Sequence, residues 1–250
     1  MTDSEKRRPR AVRGMFDRIA PRYDFLNHLL SANLDRSWRR TAASEVAAIE
    51  PARVLDLCGG TGDMSLAVAR QSSAGRIVCC DFSHPMLQRA AAKFRAGPDR
   101  DRCLTVGADG LRLPFFDGSF DAVSVAFGVR NFHDMDVGFR EIHRVLVPGG
   151  RLVVLEFSVP TGPVFGKLYR TYLTRLLPAV GDRIAGQDGP YGYLARTISG
   201  FPEPASLAGR IRDAGFAACG WKTRTGGIVA IHTAIKGDLG AVESVAAHQQ

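Results

Sequence analysis

The stretch Val54–Ser65, VLDLCGGTGDMS, carries an acid, Asp56, inside a short apolar run. Gly59, Gly60 and Gly62 follow, and a second acid, Asp63, opens a helical pattern. A glycine loop between strand and helix lets a ligand lie directly against the backbone. In the dinucleotide fingerprint the next helix offers its free N–H groups to a pyrophosphate. Here the third glycine of that pattern falls on Ser65, and Asp63 stands where the phosphate would sit. A carboxylate there repels phosphate and competes for the same N–H groups. The lysine of a P-loop is also missing. A ligand with a ribose but no phosphate fits better, and S-adenosylmethionine is such a ligand. Asp56 suits its ammonium, and Gly60 and Gly62 leave room for its methionine and ribose portions. Asp81 ends the next apolar run, where an acid accepts both ribose hydroxyls. Asp109 follows the third run and is placed to accept from the adenine amino group. The spacing sends three acids into one crevice at the carboxyl edge of a sheet.

The elements that must hold these acids follow from hydrophobic patterning. Residues 53–57, 76–81, 103–109, 120–128 and 151–158 read as buried strands. Between them, 62–70, 84–95 and 137–147 read as helices, the last stopped by Pro148-Gly149-Gly150. Apolar strands alternating with helices predict a parallel sheet covered on both faces. A helix near 203–214 precedes two further strands, 216–224 and 227–235, joined through Gly226-Gly227 as a hairpin. That gives a Rossmann-like α/β fold with seven strands, mostly parallel, one of them antiparallel. Ahead of it, helical patterns cover 12–30 and 34–49, the first interrupted at Pro21. The expected organisation is a basic arm and covering helices in 1–50, the cofactor domain in 51–237, and a flexible tail in 238–250. Within the domain, 160–200 reads as a substrate-side insertion. In 163–184, Phe165, Leu168, Tyr169, Tyr172, Leu176 and Val180 share one helical face, with Lys167, Arg170 and Arg175 off it. That face is either packed on the sheet or a greasy entrance for an apolar substrate.

The 250 residues suffice for one large domain, and the 45% hydrophobic content fits a globular protein. No run approaches the roughly 18–20 apolar residues of a membrane-spanning helix. The N-terminus lacks the apolar segment of a signal peptide, so a cytoplasmic location is expected. Five cysteines form no C-x-x-C pair and no His cluster accompanies them, so neither metal nor disulfide is expected. The formal charge is +8, with Lys6, Arg7, Arg8, Arg10 and Arg13 at the front. Such an arm is either solvated or meets an anionic surface. The interleaved aromatic and basic pattern of an RNA-binding sheet is missing.

Beyond the loop, the chain resembles the quinone-methylating class I methyltransferases, the family acting in menaquinone and ubiquinone biosynthesis. The resemblance spans about residues 12–236. Its carriers are MFDRIAPRYDFLNHLLS (15–31), VLDLCGGTGD (54–63), LPFFDGSFDAVSVAFGVRNF (113–132), REIHRVLVPGGRLVVLEFS (140–158) and YGYLARTISGFP (191–202). FGVRN followed by VLEFS is far more specific than the glycine loop. The resemblance implies cofactor contacts at Thr61, Asp81, Asp109 and Gly110. It also implies methyl transfer to a ring carbon of a polyprenylated quinol, with demethylmenaquinol favoured over the methoxylated benzoquinol of the ubiquinone pathway. Ring carbon is a poor nucleophile until a phenolic proton leaves. Arg130 is placed to stabilise the phenolate, Asn131 to orient a ring oxygen and His133 to accept the proton. Arg130 as an ion-pair partner of the N-terminal region and His133 as a loop or cap residue stay open. Tyr23 and Asp24 are expected to close over the active site. The isoprenoid tail of such a substrate implies peripheral contact with an anionic membrane, through the basic arm and the 163–184 segment. Nucleic acid is not an expected partner, a homodimer is left open, and a non-catalytic cofactor-binding scaffold is the rival from another class.

Overall fold

The computed structural model describes residues 12–163, 165–176 and 190–237. The first basic residues, Val180 and the expected 238–250 tail lie outside these. Helix α1 (12–19) leads through a 3-10 turn, Ala20–Arg22, into α2 (Tyr23–Leu30), so Pro21 restarts the helix as its position predicts. Asn33 then takes a left-handed conformation and α3 (Leu34–Ala47) turns down onto the sheet.

The sheet follows the predicted alternation. Its strands are β1 (Arg53–Leu57), β2 (Arg76–Asp81), β3 (Cys103–Gly107), β4 (Phe120–Ala126), β5 (Leu146–Phe157), β6 (Phe216–Arg224) and β7 (Val229–Lys236). The helices between them are α4 (Asp63–Ala69), α5 (His84–Ala96), α6 (Met135–Val145), α7 (Phe165–Thr171), α8 (Pro190–Ser199) and α9 (Pro204–Asp213). The order is β3-β2-β1-β4-β5-β7-β6, with β7 antiparallel to both neighbours. Strand order reverses between β1 and β4, which opens a crevice at their carboxyl ends.

Period-two alternation assigns each strand residue to a face. Val54 packs with Trp38, Val46, Val68, Ile77 and Phe94 under α3, α4 and α5. Leu55 and Leu57 pack with Phe139, Ile142, Leu207 and Ile211 under α6 and α9. A third, smaller cluster joins Leu26 of α2 to Tyr169, Leu173 and Ile198. It ties the N-terminal helices to the inserted segment above the crevice.

Several element ends shift by about two residues from the sequence reading, and two differences go further. Strand β5 begins before the Pro-Gly-Gly stop: Leu146 pairs with Phe120, the chain loops out, and Arg151 then pairs with Ala122. The 163–184 helix changes character at Tyr172, where α7 passes into a π turn, Tyr172–Leu176.

Candidate active site

The crevice holds two cavities. The first, about 570 Å³, is lined at its base by Cys58, Gly60, Asp81, Asp109 and Gly110. Gly60 has φ +56°, and a Cβ built there meets nothing within 4 Å, so its missing side chain leaves the space open for a ligand. Asp81 is buried. Its Oδ2 accepts from the Gly60 N–H (3.0 Å) and its Oδ1 from the Ser83 N–H (2.8 Å). Burial raises its pKa against those backbone hydrogen bonds. A further backbone hydrogen bond from Phe82 takes part of the carboxylate's capacity, and what is left faces the cavity for a vicinal diol. Asp109 is exposed on the cavity wall, its Oδ1 taking the Leu111 N–H (3.0 Å). Val12, Arg13, Phe16 and Tyr23 roof the space.

Three of the loop residues expected at the cofactor do not line this cavity. Asp56 is fully buried beneath the loop, where its carboxylate accepts from Ser65 Oγ (2.6 Å) and Ser124 Oγ (3.0 Å). Its side chain projects onto the α4 face of the sheet, because Val54 and Asp56 share that face by strand alternation. Burial pushes its pKa up to about 6. The expected ammonium pairing is therefore replaced by an internal serine clamp that braces the loop. Thr61 is buried and donates to Asp24 Oδ1 (2.5 Å). Gly62 has φ +84°, and a Cβ there would stand 2.7 Å from the Phe94 ring. It is needed for helix packing rather than ligand access.

Asp24 acts as a tie. Beyond Thr61, it pairs with Lys93 Nζ (2.8 Å), which also meets Asp63 Oδ1 (2.6 Å). Lys93 thus neutralises the acid that the sequence shows at the start of α4. Asp17 accepts from Ser83 Oγ (2.6 Å) and adds a second polar contact between the covering helices and the loop after β2.

The second cavity, about 770 Å³, is mostly apolar: Trp38, Phe157, Leu168, Tyr172 and Leu173 are among its walls. Tyr23 and Phe127 line both cavities, so the two meet at these rings. Arg130 lines the second. Its Nη1 pairs with Glu156 Oε2 (2.9 Å), and its own N–H donates to Glu156 Oε1 (3.2 Å). Its guanidinium lies 5.9 Å from the Phe127 ring centre and 5.5 Å from that of Phe157. Its Nε is buried without a partner. The ion-pair alternative raised by the sequence is thus real, but the partner is Glu156 on β5 and not the N-terminal region. Burial raises the pKa of the Tyr23 hydroxyl, and the positive charges of Arg130 and Arg39 oppose that rise.

Asn131 and His133 line the first cavity instead. Asn131 Oδ1 accepts from Tyr193 O–H (2.9 Å). His133 also faces a polar recess with Arg196 and Arg210. Of the three catalytic candidates, only Arg130 reaches the apolar cavity.

The sequence reading missed Asp35 and Arg39 of α3. Both are buried, both line the apolar cavity, and they form an ion pair. Asp35, Trp38, Arg39, Ala42 and Val46 recur at helical spacing on the buried face of α3. Two opposite charges interrupting an apolar stripe were the signal available.

The sequence profile of the ubiE/COQ5 methyltransferase family matches residues 1–236. A demethylmenaquinone methyltransferase of Thermus thermophilus is 46% identical over 218 residues, 87% of this chain and 98% of the relative. One from Corynebacterium glutamicum is 44% identical over 228 residues, 91% of this chain and 95% of the relative. Among solved structures, the [4+2]-cyclase SpnF superposes with a TM-score of 0.66 at 20% identity, covering 91% of this chain and 96% of its own. A putative S-adenosylmethionine-dependent methyltransferase from Methanococcus maripaludis gives 0.65 at 21%, covering 89% and 94%. At such identities the structures speak for the fold alone.

Proposed function

The chain belongs to the ubiE/COQ5 methyltransferase family, and from that premise we propose that it methylates a ring carbon of demethylmenaquinol. The observation that carries this reading is the junction of a polar, acid-edged cavity with an apolar one at Tyr23 and Phe127. S-adenosylmethionine fits the first: Asp81 for the ribose hydroxyls, Gly60 for close backbone approach, and Asp109 and Gly110 toward the adenine. When bound, it supplies a methyl group made electrophilic by its sulfonium.

The second cavity takes the quinol. Its aromatic walls exclude water and hold the ring against the junction, which converts a bimolecular encounter into an oriented one. The Arg130 guanidinium favours the phenolate over the phenol, and electron density then moves to the adjacent ring carbon. Glu156 fixes that guanidinium from behind. Asn131 stands on the cofactor side of the junction, and His133 further along the same cavity, near the polar recess. We place Asn131 at the cofactor and retain for His133 only a route through water to the ring.

Leu34, Phe165 and Leu168 line the apolar cavity and are also exposed, so they mark its mouth. Phe25 and Leu29 continue the exposed apolar surface on α2, and Lys167, Arg170 and Arg175 are exposed on the inserted segment. Greasy side chains bordered by cations suit the interface of an anionic bilayer, where the substrate's tail resides. No helix among the described residues is long and apolar enough to cross a membrane.

The test is transfer of labelled methyl from S-adenosylmethionine to demethylmenaquinol and, separately, to the methoxylated polyprenyl benzoquinol. Turnover of the first supports the reading. Turnover of the benzoquinol alone moves the assignment to the ubiquinone pathway, and turnover of neither sinks it. Co-sedimentation with vesicles tests the membrane contact, which fails if phosphatidylglycerol makes no difference to binding.

A further inference from the structure

We infer that Arg39, anchored by Asp35, is a second catalytic cation, acting with Arg130 on the ionised quinol. This rests on the quinol-methylating reading above.

The geometry starts on α3. Arg39 lies on the inward face of that helix, next to Trp38, and is withdrawn from water. Its Nη1 is held by Asp35 Oδ2, and the same carboxylate accepts from His28 Nδ1 (2.8 Å) and Ser31 Oγ (2.8 Å). Burial raises the Asp35 pKa, but Arg39, Ser31 and His28 together outweigh it and hold the acid below its usual range. The carboxylate therefore stays charged and the guanidinium stays anchored.

Anchored this way, the guanidinium lies 5.3 Å from the centre of the Phe127 ring, the same ring that Arg130 approaches at 5.9 Å. Phe127 forms the boundary between the two cavities. The Tyr23 hydroxyl, on that boundary too, feels both cations. Burial leaves that hydroxyl harder to ionise than a free phenol, and the two cations work against the rise. Packing alone does not account for this wall. Two buried ion pairs, Arg39–Asp35 and Arg130–Glu156, in an otherwise apolar enclosure are no more stabilising than apolar side chains of similar volume. Their guanidinium ends approach the Phe127 ring, and their attraction, reduced by the paired carboxylates, acts on a phenolate and not on the neutral phenol.

In the step they assist, the quinol hydroxyl loses its proton to water and its electron pair feeds the ring. The adjacent ring carbon bonds to the methyl carbon, while the methyl–sulfur bonding pair stays on sulfur. The hydrogen on that ring carbon then leaves as a proton to water, aromaticity returns, and the ring oxygen takes a proton back from water, so each turnover releases one proton.

The experiment measures kcat, quinol KM and cofactor Kd for the wild type, Arg39→Gln and Arg39→Lys. It uses demethylmenaquinol and an analogue fluorinated on the ring that is not methylated, whose hydroxyl is more acidic. For Arg39→Gln, kcat on demethylmenaquinol should fall about 30-fold, with KM and cofactor Kd within about threefold. On the fluorinated quinol the loss should shrink to about fivefold, because a more acidic phenol needs less help to ionise. Arg39→Lys keeps the charge without the guanidinium's contact to Asp35 and should fall between wild type and Gln. If the Gln variant does not fold, the same contrast between the two quinols is read on Lys. An unchanged kcat, or a loss equal on both quinols, overturns the inference. Wild-type inactivity on demethylmenaquinol would instead sink the functional reading.

Discussion

Asp56→Asn separates a ligand-binding acid from a bracing one. Asp56 is fully buried and bonded to two serine hydroxyls, and its pKa rises from 3.8 to about 6. A folded pKa above the unfolded value means that folding favours the protonated acid. The contribution is fully present below about pH 4 and is lost as pH rises through about pH 6. At neutral pH the ionised carboxylate therefore destabilises the fold by the difference of about 2 pKa units, on the order of 3 kcal/mol. Asparagine imitates the protonated form. Its oxygen accepts from one serine and its NH₂ donates to the other, since a hydroxyl serves either role. The variant should be more stable than wild type by up to about 3 kcal/mol at about pH 8, and by roughly half that at about pH 5. Urea denaturation of both proteins at the two pH values measures this. Calorimetric titration with S-adenosylmethionine should give a Kd within about threefold of wild type, because the side chain lines no cavity. A variant that is less stable at pH 8, or one that loses cofactor affinity by orders of magnitude, would refute the bracing role and restore the ammonium pairing.

The other side chains give sharper contrasts. Asp81→Ala removes an acid that lines the cofactor cavity and orders Gly60, so calorimetry should show cofactor affinity falling about 100-fold, equivalent to about 3 kcal/mol. Glu156→Gln leaves the Arg130 guanidinium buried without its counter-charge, and denaturation should show a loss of about 3–5 kcal/mol. The double variant Arg130→Met/Glu156→Leu should recover most of that stability while methyl transfer is abolished, so full activity in it would dismiss Arg130 from the chemistry. Gly62→Ala meets both a left-handed backbone and the Phe94 ring at 2.7 Å. Gly60→Ala meets only the backbone strain, so thermal melts should show the first as the more damaging by about 1–3 kcal/mol.

Much of the architecture was legible because it depends on local pattern. Apolar runs of strand length alternating with amphipathic helices dictated a two-faced parallel sheet, and Gly226-Gly227 marked the hairpin that makes β7 antiparallel. The acids closing β2 and β3 were legible for the same reason: a strand's end in sequence is the sheet's edge in space. Asp81 and Asp109 accordingly border the first cavity, as their spacing implied. The start of β5 was not legible, since only the partner Phe120 on β4 lets the chain pair at Leu146 and then loop out through the Pro-Gly-Gly turn.

By itself, then, the sequence determined the sheet, the glycine loop, the cofactor edge and the family-specific FGVRN segment. These are properties of contiguous residues, fixed by chain geometry and burial. Only the tertiary structure decided which charges face which. Asp56 turned inward onto two serines, 9 and 68 residues away along the chain. Lys93 crossed to Asp24 and Asp63, and Glu156 on β5 took Arg130. Arg39, one of many basic residues near the front of the chain, came to rest beside Phe127. Apart from the i,i+4 pair Asp35–Arg39, these pairings join distant segments through space and carry no sequence period. The partners of a buried ion therefore become visible only when the fold brings distant segments to one wall.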